Sequence, residues 1–122
     1  LALGADAYLT KPVDLEQLLD TISALLAGQA LGTTAQPQAV VVGQDRAVVA
    51  SIATALREQG FQVSEAYDAQ GAITAAQAIK PDLIILDEAT LPLDDAERLK
   101  ALRFQDPDLE YTIVVISGQP GD

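Results

Sequence analysis

Apolar positions along this chain fall into two rhythms that take turns. Ala7-Tyr8-Leu9 is a short apolar run ahead of Lys11-Pro12. Asp14 then stands where a helix N-cap would, with Gln17 three residues on as its capping-box partner. Leu15, Leu18, Leu19, Ile22, Leu25 and Leu26 form one helical stripe, and Gly28 is the stop signal. Residues 29–38 are small and polar without periodicity, so they read as a linker or surface loop. Ala39 to Val42 is a strand of the buried kind. Gly43-Gln44-Asp45 turns the chain, and Asp45 caps a helix carrying Val48, Val49, Ile52, Ala53 and Leu56, which stops at Gly60. Phe61 and Val63 alternate with polar neighbours in a short strand. An Ala-rich helix with Ile73, Ala76 and Ile79 on one face follows, and Pro81 ends it near Lys80. Leu83 to Leu86 is a continuous apolar run, as expected of a central strand buried on both faces. Glu88 to Asp95 reads as a loop. Ala96, Leu99 and Leu102 then mark a last helix face, and Tyr111 to Ile116 is a β-branched strand.

The resulting order is β-α-linker-β-α-β-α-β-α-β. Five strands alternating with four helices predict an α/β fold, a doubly wound and mostly parallel five-stranded sheet covered on both faces. The length of 122 residues and the 49% hydrophobic content allow one domain-sized core.

Composition narrows the chemistry. Against 18 acids stand 7 bases, a net charge of −11. That excludes the basic footprint of a nucleic-acid binder and opposes an anionic membrane surface. The chain has no Cys and no His, which removes disulfides, thiolate or imidazole metal sites and every Ser-His-Asp device. No apolar run approaches the roughly 20 residues of a membrane span, and no signal peptide is visible. The expectation is a soluble, cytoplasmic protein.

In open parallel sheets, ligands bind beyond the carboxyl ends of the strands. The polar residues at those ends are Lys11, the Gly43-Gln44-Asp45 turn, Asp87 with Glu88, and Ser117. One carboxylate, one amine and one hydroxyl around a cleft suit phosphoryl handling: the carboxylate accepts, the lysine neutralises, the hydroxyl donates. Each also has an ordinary reading. Asp87 can start a loop, Lys11 can be a surface lysine, Ser117 can bond its own turn and Asp45 can be a helix cap. Asp94, Asp95 and Glu97 suit the start of a helix.

GADAYLTKP and PDLIILDEATLPLDD carry a resemblance to the receiver domains of two-component response regulators, the CheY-like, flavodoxin-like fold. Residues 1–28 resemble the C-terminal part of a receiver, with its fifth strand and fifth helix. Residues 39–122 resemble the N-terminal part, from the first strand to the fourth. The resemblance implies that Asp87 is the phosphoacceptor, that Ser117 and Lys11 accompany it, and that Tyr8 is an aromatic switch residue. It implies a Lys11-Pro12 step, a metal-ligating carbonyl at Ala89, Mg²⁺ as cofactor, and a histidine kinase or phosphotransfer protein as partner. The function implied is that of a signalling and phosphoacceptor domain in a phosphorelay. It would not be an enzyme beyond phosphoryl transfer to itself.

Two departures qualify the resemblance. Gly43 and Gln44 stand where the family has an acidic pair that binds Mg²⁺, and Asp45 comes one place late. A hard cation wants carboxylate oxygens, so metal binding is expected to be weak or absent and phosphorylation poor. Gln44→Asp, with Gly43→Asp, is expected to improve it, and Glu88 is an alternative carboxylate. A degenerate receiver that acts by protein contacts alone is the competing reading. The order of segments is also inverted, either because the chain straddles two tandem receivers or because one receiver is circularly permuted. Both leave the fourth helix missing between Ser117-Gly118 and Leu1. Ile113, Val115 and Leu9 would then be bare, which predicts a homodimer or a segment swap. A haloacid-dehalogenase-type phosphohydrolase lacks its second Asp, since that position is Ala89. A dinucleotide fold lacks its glycine fingerprint.

Overall fold

A computed structural model describes residues 7–10, 14–26, 37–105 and 111–117 of the chain. In chain order the elements are β1 (Ala7–Thr10), α1 (Leu15–Leu26), β2 (Gln38–Val42), α2 (Arg46–Glu58) and β3 (Gln62–Ala66). There follow α3 (Ala69–Ile79), β4 (Leu83–Asp87), a 3₁₀ turn (Glu88–Thr90), α4 (Leu93–Gln105) and β5 (Thr112–Ser117). The five strands make one sheet in the order β1-β5-β4-β2-β3, and every neighbouring pair is parallel. This is the expected sheet, with β1 joined to the strand furthest from it in sequence.

The strands alternate their side chains between two cores, as the two-residue period demands. Val40, Val42, Ile84, Leu86, Ile113 and Val115 face one side, where Ala72 and Ala76 of α3 and Leu99 and Leu102 of α4 cover them. Ala39, Val41, Leu83, Ile85, Val114 and Ile116 face the other, beneath Leu18 and Ile22 of α1 and Val49, Ile52 and Leu56 of α2. All five residues of β4 are buried. Each large aliphatic side chain buried there contributes about 1.5–3 kcal/mol, which is why a continuous apolar run, rather than an alternating one, encodes this strand.

Caps follow the local sequence. Asp14 Oδ1 accepts the Glu16 and Gln17 amides at 3.0 and 3.4 Å and opens α1. α2 ends at Glu58, and Gly60 just beyond it, at a φ of 97°, turns the chain so that the Phe61 amide bonds the Leu56 carbonyl at 3.0 Å. α3 ends with Lys80 in the left-handed region (φ 48°) ahead of Pro81, because a residue before proline is kept out of the helical region. Gly28 lies outside the described residues. At the sheet's β3 edge, Arg57 bonds the Val63 carbonyl and Glu65, and Arg46 stacks on Tyr67 at 4.4 Å. Charge at an edge strand discourages pairing with another chain.

Two expectations need correction. The stretch from Glu88 to Asp95 is not one loop: a 3₁₀ turn takes Glu88–Thr90, and α4 has begun by Leu93. Pro92 can precede a helix but not continue one, and Asp94 and Asp95 in the first turn favour the helix start. Ile113 and Val115 are fully buried in the core that α4 covers, and Leu9 packs against the opposite core. The bare apolar face that argued for self-association is not present at those strands. The four α-helices among the described residues match the count from the sequence. Where a fourth receiver helix would lie, residues 118–122 and 1–6, falls outside them, as does the linker at 29–36. No described helix is long and apolar enough to cross a membrane.

Candidate functional site

The carboxyl ends of four parallel strands meet along one edge of the sheet. Val42 of β2 is in register with Leu86 of β4, Asp87 with Ile116 of β5, and Ser117 with Thr10 of β1. Asp87 thus closes the central strand, with the Gly43-Gln44-Asp45 turn on one side and the ends of β5 and β1 on the other. Lys11, one residue beyond Thr10, and Pro12 lie outside the described residues. The backbone of Ser117 is in the β5–β1 ladder, and its side chain lies outside the described part. Ala89 is inside the 3₁₀ turn after Asp87. Tyr8, on β1, is 41% exposed and is the exposed large hydrophobic residue among those described.

Asp87 is fully buried; besides it, Thr112 is the buried polar side chain among the described residues. Keeping a carboxylate inside a fold is costly, so an acid held at such a strand end is a candidate for function rather than for solubility.

Gly43 explains how the acid fits. A Cβ at this position would lie 2.8 Å from Asp87 Cβ, 3.3 Å from Asp87 Oδ2 and 3.3 Å from Thr90 Oγ1. The missing side chain is therefore not an empty ligand position, because the neighbouring strand end fills it. Gly43→Asp cannot restore an acidic ligand without displacing Asp87, and that half of the sequence expectation fails on sterics.

The two acids that the sequence offered as further ligands, Asp45 and Glu88, are engaged elsewhere. Asp45 Oδ1 accepts the Ala47 and Val48 amides at 3.1 and 3.4 Å, so it caps α2. Glu88 Oε2 takes the Lys100 ammonium at 2.8 Å, and the same ammonium reaches Glu97 at 2.9 Å. Burial opposes the charge on Lys100. The bonds to Glu88 and Glu97 outweigh it and hold the lysine above its ordinary pKa. Gln44 is exposed, and its amide donates to Thr90 Oγ1 at 2.9 Å. The Thr90 hydroxyl in turn donates to the Asp87 carbonyl at 3.2 Å.

Magnesium takes oxygen ligands and gains affinity with carboxylate count. Among the described residues no three acidic side chains converge, and around Asp87 the nearest candidates serve a helix cap and a lysine. These residues do not fit the Mg²⁺ site that the resemblance implies.

Sequence reasoning missed Thr90 and Lys100. A hydroxyl three residues after a strand-terminal acid was the available signal for Thr90, since such residues bond nearby backbone. The i,i+3 spacing of Glu97 and Lys100 was the local signal for Lys100, but its other partner, Glu88, is twelve residues away.

No family model matches the chain. Curated relatives do. The chain is 37% identical over 78 residues to the transcriptional regulatory protein PrrA of Mycobacterium leprae, covering 64% of this chain and 34% of that protein. It is 35% identical over 80 residues to the probable transcriptional regulatory protein TcrX of Mycobacterium tuberculosis, covering 65% and 34%. It is 42% identical over 55 residues to PdtaR of the same organism, covering 43% and 27%. The chain spans about a third of the length of the first of these relatives. Among solved structures, the receiver domain from the hybrid histidine kinase CckA aligns with a TM-score of 0.49 at 24% identity, over 70% of this chain and 87% of that one. The chain is thus similar, over about two thirds of its length, to part of two transcriptional regulatory proteins, and its own five-stranded parallel sheet ends the central strand in a buried aspartate.

Proposed function

We propose that this chain is a receiver domain that works in a two-component signalling pathway, with Asp87 in the phosphoacceptor position and a histidine kinase or phosphotransfer protein as partner. The observation that carries the reading is the placement of Asp87, buried at the carboxyl end of the central strand beside the ends of β2 and β5. In the transfer, a carboxylate oxygen of Asp87 forms a bond to phosphorus as the bond from phosphorus to the donor nitrogen breaks. The donor imidazole leaves with the electron pair and takes up a proton. Lys11 and Ser117 are the assigned neighbours of the phosphoryl oxygens.

One observation favours a second reading, a degenerate receiver that signals by protein contact alone. Gly43 is packed on Asp87, and Asp45 and Glu88 are committed elsewhere, so a charged metal cradle is not available to support transfer. Incubation with a small phosphodonor, with and without Mg²⁺, separates the two. Acylphosphate that is lost in Asp87→Asn supports the acceptor reading. Its absence, with partner binding unchanged by Asp87→Asn, supports the contact reading. Labelling of Asp87 is expected to be weak and little increased by Mg²⁺, since the charged metal cradle is missing. A homodimer or segment swap would have to be held by residues other than Ile113 and Val115, and Tyr8 is the exposed candidate.

A further inference from the structure

Two turns, 46 residues apart in sequence, are tied together beside Asp87 by a single hydroxyl. Thr90 Oγ1 accepts the Gln44 amide at 2.9 Å and donates to the Asp87 carbonyl at 3.2 Å. The same oxygen lies 3.3 Å from where a Gly43 Cβ would be, next to Asp87 Oδ2 at the same distance. The space between the ends of β2 and β4 is therefore occupied by the Asp87 side chain and the Thr90 hydroxyl. A second tether, from Lys100 of α4 to Glu88, holds the other flank of the 3₁₀ turn. Both tethers are direct protein contacts.

We propose that Thr90 is a latch: its two hydrogen bonds close the 88–90 turn against the Gly43-Gln44-Asp45 turn without a divalent cation, and so set the access of a donor or partner to Asp87. Thr90 is a positioning residue in this scheme. Its two hydrogen bonds go to the backbone on the two sides of the corner. The inference rests on the reading of the Asp87 corner as the receiver site.

The test uses the full chain, labelled with ¹⁵N, and reads amide exchange and chemical shift at Gln44. Thr90→Val keeps the shape of threonine and removes the hydroxyl; Thr90→Ser keeps the hydroxyl. Exchange at Gln44 is expected to rise on the order of tenfold in Thr90→Val, the scale of one lost hydrogen bond. It should stay near wild type in Thr90→Ser, and the Val40 to Val42 amides should be unchanged in both. Magnesium chloride alone, titrated to millimolar concentration into the unmodified chain, should leave the Gln44 and Asp87 signals in place. Unchanged Gln44 exchange in Thr90→Val would overturn the latch. So would a saturable shift or slower exchange at Gln44 on adding Mg²⁺, and this arm needs no variant that has to fold. Failure of phosphodonor labelling at Asp87 bears on the acceptor reading and moves none of these signals.

Discussion

Replacing Gly43 with alanine tests the packing of the site directly. Two effects oppose each other. Gly43 is not in the left-handed region, where Gly60 is the glycine found among the described residues. Alanine would therefore stiffen the unfolded chain and, by that effect alone, stabilise the fold by about 0.4–1 kcal/mol. Against this, the new Cβ would sit 2.8 Å from Asp87 Cβ, well inside the roughly 3.5–4.0 Å at which carbon pairs attract. Asp87 Cβ is anchored to the backbone of a fully buried strand, so it cannot swing aside as the end of a long side chain could. Overpacking of this kind costs about 1–3 kcal/mol. The net expectation is a loss of about 1–2 kcal/mol, or a melting midpoint lower by roughly 4–8 °C for a domain of this size. Thermal and urea unfolding followed by circular dichroism measure it. The control lies at position 87: Asp87→Gly removes the offending Cβ, whereas Asp87→Ala removes the carboxylate and keeps it. The cost of Gly43→Ala should shrink in the Asp87→Gly background and persist in Asp87→Ala. A Gly43→Ala protein as stable as wild type, or an equal cost in both backgrounds, would refute the argument.

Other expectations follow from the same structure. Leu18→Ala should cost about 2–5 kcal/mol in urea unfolding, because Leu18 is fully buried against the core under β4 and β5; a negligible cost would mean that α1 does not cover this face of the sheet. Lys100→Met should lower stability by on the order of 1 kcal/mol at neutral pH. Because the folded state holds the Lys100 proton more tightly than the unfolded one, that difference should persist from neutral pH up to the ordinary lysine value of 10.5 and fade above it. Tyr67 donates to Glu65 at 3.0 Å, and that bond is the chief reason its phenol titrates above the ordinary tyrosine value. Glu65→Gln should bring the Tyr67 transition down in an ultraviolet titration, and no change would remove the bond as its cause. Gln44→Asp alone, at an exposed position beside the latch, should give at most a weak Mg²⁺ response by isothermal calorimetry; tight binding would show that one added carboxylate suffices.

Local pattern in the sequence was enough to define most of the elements. The stripe from Leu15 to Leu26, the stop at Gly60, the break before Pro81 and the run Leu83–Leu86 each state their structure within a few residues, because helix and strand periods and caps are short-range properties. The place of Asp87 at the end of a buried strand was legible for the same reason: a charge closing a continuous apolar run has few places to be. The start of α4 was misread, because Pro92 and the acids after it suit a loop and a first helical turn equally. What only the tertiary structure decided is what stands beside Asp87. Gly43 in the sequence looks like a lost ligand; in space it is the room that the Asp87 side chain needs, and that depends on β2 lying against β4. Thr90 meeting Gln44 across 46 residues, Lys100 reaching back to Glu88, and β1 pairing with β5 at the opposite end of the chain are likewise products of the packed sheet. No periodicity encodes them, since contacts between distant segments form only when the two cores have brought those segments together.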